Sequence, residues 1–248
     1  MDPHEWKKGS YQLLLSIIIP ATLIVCSLIL ANPVNNYASN KNTITVTGAA
    51  KKQILSDLVV WRGNFSAQYP QLPEAYARLN QDQAKVKTYL LQQGIEEKDI
   101  VFSSINTIPL YQTNPNGTQS NLLEGYRLFQ SVEIKSGDVE KITGISRTST
   151  ELINQGVQFE SQPPQYFYTK LNDLKVTMLG EAAKDAKLRA EQLASNSGGK
   201  IGGLRSSKMG VFQITPLNST EVSDYGINDT SSLEKEITAV VSVEFLVE

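Results

Sequence analysis

Nineteen consecutive uncharged residues, 13–31, set the first bound on what this chain can fold into. Twelve of them are Leu, Ile or Val, and at roughly −0.5 kcal/mol each near a helix centre they favour bilayer insertion by about 6 kcal/mol. Ser16, Pro20, Thr22 and Ser27 return part of that gain. The length suits a hydrocarbon core of about 30 Å, and a proline kinks such a helix without forbidding the span. Lys7 and Lys8 precede the run and no basic residue follows until Lys41. The positive-inside bias therefore sets the N-terminus in the cytoplasm and everything after the run on the far side. Trp6, Tyr11 and Tyr37 suit the two interfaces. A cleaved signal peptide is the competing reading, although no clean A-x-A site precedes Asn32. Lipidation at Cys26 is disfavoured by the bulk of Val25 before it. The expected division is a cytoplasmic tail at 1–12, a transmembrane anchor or signal segment at 13–31, a linker at 32–42 and a folded domain at 43–248.

Two missing residue types narrow the chemistry of that domain. The single cysteine, Cys26, lies inside the apolar run, and the single histidine, His4, precedes it. The domain thus has no disulfide, no thiolate and no imidazole, which excludes Ser-His-Asp and Cys-His catalysis and histidine-based metal sites. Its acidic and basic residues nearly cancel, so there is no electrostatic case for nucleic acid. No cofactor is expected.

Periodicity supplies the architecture. Residues 44–50 alternate as a strand, and a second strand places Val59, Trp61, Gly63, Phe65 and Ala67 on one face with Arg62, Asn64, Ser66 and Gln68 on the other. Ala75, Leu79, Val86 and Leu90 have helical spacing over 74–93, closed by Gly94. Strands are expected at 98–111 and 126–135. Asp138 is placed to cap a helix running to Gly156. A short strand at 157–160, a long helix at 168–197, a strand at 201–214, a polar loop at 215–235 and a last strand at 237–247 complete the chain. This order, ββαββαβαββ, predicts an α+β fold with antiparallel or mixed sheets packed by helices, in two intertwined strand–helix–strand halves, rather than a doubly wound parallel sheet.

Five segments taken in order carry a resemblance. ITVTGAAKK at 44–52, QGIEEKDIVFSSINTIPLY at 93–111, GYRLFQSVEIKSGDVEKI at 125–142, EAAKDAKLRAEQLASNSGGKIG at 181–202 and TAVVSVEFLV at 238–247 together resemble the SIMPL domain family. The family includes YggE-like periplasmic proteins, periplasmic immunogenic antigens and a eukaryotic signalling adaptor. The resemblance implies an α+β domain, an exported location, a tendency to form homo-oligomers and, for some members, a link to oxidative-stress tolerance. It supplies no catalytic, cofactor-binding or metal residues. The chain departs from the pattern in its polar 215–235 loop and its retained-looking N-terminal segment.

Individual candidates have ordinary readings beside functional ones. Ser206, Ser207 and Lys208 contain the pieces of a serine–lysine pair, but adjacency does not set that geometry. Glu96, Glu97 and Asp99 lack calcium-loop spacing. The glycine-rich segment at 197–203 follows a helix, the reverse of a phosphate loop. Tyr166, Phe167 and Tyr168 suit either packing or an interface. Asn64, Asn116, Asn218 and Asn228 stand in N-x-S/T sequons. Three functions follow as expectations. The first is a non-catalytic envelope protein that self-assembles, with a small-residue face at Ala182, Ala183, Ala186 and Ala190. The second is a binding module for an envelope component or partner protein. The third is a hydrolase using carboxylates or Ser/Lys.

Overall fold

The computed structural model describes residues 20, 22, 24–27 and 42–247. The cytoplasmic tail, most of the apolar run at 13–31 and nearly all of the linker lie outside the described residues, and the expectations placed on them go with them. The described residues of the run are helical, and among the described residues no helix is long and apolar enough to cross a membrane. The chain forms two compact units that interleave in sequence. The larger comprises Lys51–Met178 and Val211–Ala239; the smaller takes the described parts of Met1–Ala50, Leu179–Gly210 and Val240–Glu248.

The larger unit is built on a six-stranded sheet. β1 (Thr43–Leu55) precedes it and belongs to the other sheet, and β2 (Leu58–Tyr69) is central. After α1 (Leu72–Gln92) come β3 (Ile100–Phe102), β4 (Asn106–Thr113) and β5 (Gln119–Ser136). α2 (Val139–Thr148), β6 (Gln158–Ser161) and β7 (Gln165–Phe167) follow. β2 pairs antiparallel with β5 from Val59 opposite Ser136 to Tyr69 opposite Tyr126. β3 and β4 extend the sheet beyond β5, and β6 and β7 extend it beyond β2. The period of two puts Val59, Trp61, Phe65 and Ala67 of β2 and Leu128, Val132 and Ile134 of β5 on one buried face. α1 and α2 lay Leu79, Val86, Leu90, Ile142 and Ile145 onto that face. The buried indole of Trp61 donates to Ser161 Oγ at 3.0 Å, which donates in turn to the Ser146 carbonyl at 2.6 Å. The one polar atom of the ring is thereby satisfied inside the core.

Local chemistry explains the element ends. Asp138 Oδ1 accepts from the Lys141 amide at 3.1 Å and caps α2. The α-helix expected to reach Gly156 stops at Thr148 and continues as a 3₁₀ segment, Ser149–Gln155. Ser146, Thr148 and Ser149 turn their hydroxyls back onto helix carbonyls, which disturbs the α ladder. The strand expected over 98–111 is two strands, because Ser103 leaves the ladder to bond Ser131 in both directions of its own backbone and side chain. β7 was not expected, and it delays α3 (Leu171–Asn196) past Tyr168. At that entry Asp57 accepts from the Thr169 amide and hydroxyl.

The strand expected over 201–214 also divides, into β8 (Ile201–Met209) and β9 (Gln213–Pro216). Within the polar loop, β10 (Ile227–Asn228) pairs parallel with β9. β11 (Glu234–Val247) pairs antiparallel with β9 over Lys235 to Thr238 in the larger unit. The second sheet is therefore mixed and the first antiparallel, within the expected α+β class.

In the smaller unit, β11 pairs antiparallel with β8 from Val241 opposite Met209 to Val247 opposite Ile201. α3 presents Ala182, Ala186, Ala190 and Ala194, all buried. Gly48 of β1 lies so close that a Cβ there would sit 2.2 Å from the Ala182 carbonyl oxygen and 2.4 Å from the Ala186 nitrogen. Small residues on both elements are what permit that approach. Asp185 Oδ2 adds a bond from the Ala49 amide at 2.9 Å and one from Arg189 Nε at 2.8 Å. Gly198, with φ of 81°, then ends the helix.

Candidate functional site

The helices of the larger unit occupy one face of its sheet, and the opposite face carries the groove and side chains that make the best candidate site. Because Asn64 pairs with Glu160 and with Ser131, and Ser66 with Gln158 and Phe129, these residues share that face. Two cavities open there. One of about 460 Å³ is lined by Arg62, Asn64, Gln162, Pro163, Gln165 and Thr230 among others. The other, of about 390 Å³, includes Asn64, Asn106, Ile108, Arg127, Phe129 and Glu160 in its lining. Arg62 is ion-paired with Glu133 at 2.6 Å, and the Arg127 guanidinium donates to Gln68 Oε1 at 2.9 Å.

A second feature lies at the end of the same sheet. β5 is 18 residues long, and its pairing with β2 ends at Tyr126. Before that point only β4 accompanies it, so 110–113 and 119–125 form a two-stranded ribbon. Leu122 is 65% and Leu123 46% exposed, and Tyr111, opposite Leu123, is exposed as well. Adjacent strand residues point to opposite faces, so both faces of the ribbon are apolar.

A third feature is a buried cation. Lys235 is 2% exposed and lies on the inward face of β11. Its Nζ donates to the Tyr166 carbonyl at 2.6 Å and to the Asp229 carbonyl at 2.5 Å. Burial pulls its pKa below the ordinary lysine value, with the Asp229 carboxylate opposing. For Asp229 itself burial acts upward, but bonds from Ser231 and Ser232 together with Lys235 outweigh it and hold the carboxyl below its usual range. The sequence reading missed Lys235. Its alternation with Ile237 and Ala239 was the available signal.

The residues singled out from sequence do not converge. Ser207 and Lys208 are successive strand residues opposite Val243 and Ser242, so their side chains point to opposite faces. Ser206 donates instead to Glu244 at 3.0 Å. Glu244 is held below the usual carboxylate range by bonds from Thr43 and Ser206 and by Arg205. Glu96 pairs with Lys98 at 2.7 Å and Glu97 with Lys87 at 2.6 Å, and these bonds keep both carboxyls low. Among the described residues no group of three or more His, Cys, Asp or Glu is placed to hold a metal ion. The 197–203 glycines end α3 and lead into β8. Tyr166 is buried with its hydroxyl 3.1 Å from Thr143 Oγ1, while Phe167 and Tyr168 are half-buried. Asn116 shapes the β4–β5 turn by accepting from Thr118, and Asn218 adopts a positive φ of 61°. Of the small-residue face read as a self-association surface, Ala182, Ala186 and Ala190 are buried within the chain's own fold, where Gly48 takes up the room they leave, and Ala183 alone is exposed.

The curated protein "Uncharacterized protein YggE" of Edwardsiella ictaluri is 22% identical over 196 residues, covering 77% of this chain and 78% of that one. A solved amidase of the hydantoinase/carbamoylase family from Burkholderia phymatum aligns with a TM-score of 0.26 and 12% identity, over 56% of this chain and 36% of that longer one. A likeness at that score carries no argument about fold or activity. The profile of the SIMPL family, described as a protein of unknown function (DUF541), matches residues 44–245. The chain belongs to the SIMPL family.

Proposed function

We propose that this is a membrane-anchored, extracytoplasmic protein without catalytic activity, whose domain assembles with copies of itself through the β4–β5 ribbon. The ribbon is the observation that carries the reading. An isolated two-stranded ribbon is marginal in water, and this one exposes leucine on both faces. Packing against another molecule removes both problems at once. A second copy is the fitting occupant. The outer edge of β4 is unpaired among the described strands, and two such edges can meet antiparallel in a closed two-fold contact. The anchor adds a constraint. With only about a dozen linker residues at under 3.6 Å each, the assembled domains present their N-termini to one membrane surface.

The absence of catalysis is supported by the missing imidazole and thiol beyond residue 31 and by the opposed directions of Ser207 and Lys208. Tyr111→Cys, on the β4 edge strand itself, in a Cys26→Ser background tests the contact. Oxidation is expected to produce a disulfide-linked dimer, whereas Thr177→Cys, on α3, is not. Equal cross-linking from both positions contradicts the ribbon as the contact. Alkaline extraction of membranes tests the anchor: the full-length chain is expected in the pellet, and release of a chain beginning near Asn32 contradicts it.

A further inference from the structure

We propose that the helix-free face of the six-stranded sheet is a binding groove for a neutral, hydroxyl-bearing oligosaccharide. Its two cavities, of about 460 Å³ and 390 Å³, lie side by side on this face and share Asn64. Each lies within the roughly 300–1,000 Å³ of typical ligand sites. The carboxamides of Asn64, Asn106, Gln162 and Gln165 line it, and among the described residues none of the four side chains has a hydrogen-bond partner. A carboxamide donates and accepts side by side. So does each hydroxyl of a sugar ring, and an acetamido substituent repeats the same pairing.

Charge selects the class of ligand. Arg62 is neutralised by Glu133 at 2.6 Å, and Arg127 stands on the same face as Glu160. With Lys135, opposite Val60 on this face, the charges sum to +1, too little to gather a polyanion. Apolar surface is supplied by exposed Phe129 in one cavity and by Pro163 and Pro164 in the other. The C–H face of a pyranose covers such surface and removes it from water. An extended peptide fits less well. Peptides gain affinity by main-chain pairing at a sheet edge, whereas β2 beneath the groove spends its main chain on β5 and β6 and offers side chains alone.

Titration calorimetry of the full chain in phospholipid nanodiscs tests the proposal, with chitin tetrasaccharide and cellulose tetrasaccharide as probes. Saturable binding of either is expected. Phe129→Ala and Gln162→Ala are each expected to weaken it about tenfold, the scale of one lost contact, with an unchanged circular dichroism spectrum. Neither residue is on the ribbon, so loss of sugar binding and loss of assembly are separately readable. No saturable heat at millimolar sugar overturns the proposal. So does binding that survives both substitutions, or tighter binding of a heparin fragment or an unstructured decapeptide.

Discussion

The ammonium of Lys235 donates to the main-chain carbonyl of Tyr166 at 2.6 Å across 69 residues of sequence. With its second bond, to the Asp229 carbonyl, it ties β7 and the polar loop to the start of β11. Lys235→Met fills the same volume and leaves both carbonyls without their donor. We expect a loss of about 2–3 kcal/mol in urea unfolding. A midpoint equal to that of the wild type contradicts the clamp.

The same lysine leaves a signature in alkaline solution. Burial depresses its pKa in the folded state, with Asp229 opposing. Between that depressed value and the ordinary 10.5, the unfolded chain binds more protons than the folded one, so the linkage raises stability as pH climbs. The stability of wild type minus Lys235→Met should rise through that interval and be level below it. A difference that falls there has the wrong sign for this group.

Asp185 acts in the opposite pH range. The Ala49 amide, working against desolvation, and Arg189 hold its carboxyl below the ordinary 3.8. Its contribution is therefore full above that value and disappears as pH falls through the lower folded-state pKa. Asp185→Asn should show a shallower acid decline in melting temperature than the wild type. Parallel acid limbs count against this linkage.

Two glycines give contrasting steric tests. A methyl at Gly48 meets the backbone of Ala182 and Ala186, so Gly48→Ala should cost about 2 kcal/mol or more, and Ala186→Gly should not restore it. At Gly63 the methyl's nearest neighbours are atoms of the Phe159 ring, the first at 2.2 Å. Phe159→Leu should therefore recover part of the loss from Gly63→Ala. Rescue at the first site and none at the second reverses the account.

Much of the frame was legible in the sequence because its signals are local. The alternation from Val59 to Ala67, the helical spacing of Leu79, Val86 and Leu90, and the cap at Asp138 each act within a few residues. The breaks were not legible. Ser103 leaves its strand for a partner 28 residues away. β11 was expected to begin at Ile237, after a polar loop over 215–235, while Lys235 is held inside the strand by carbonyls that the sequence does not display. The candidate groove was hidden for the same reason. Asn64, Asn106, Gln162 and Gln165 come from separate strands and loops, and only strand register brings them to one face.

Sedimentation equilibrium of the full chain in density-matched detergent tests the central claim most directly. The account predicts a protein mass at micromolar concentration that is a multiple of the 27.4 kDa chain, reduced to a single chain by combined Leu122→Glu and Leu123→Glu substitution. A wild-type mass of one chain, or an assembly unchanged by those substitutions, would contradict it.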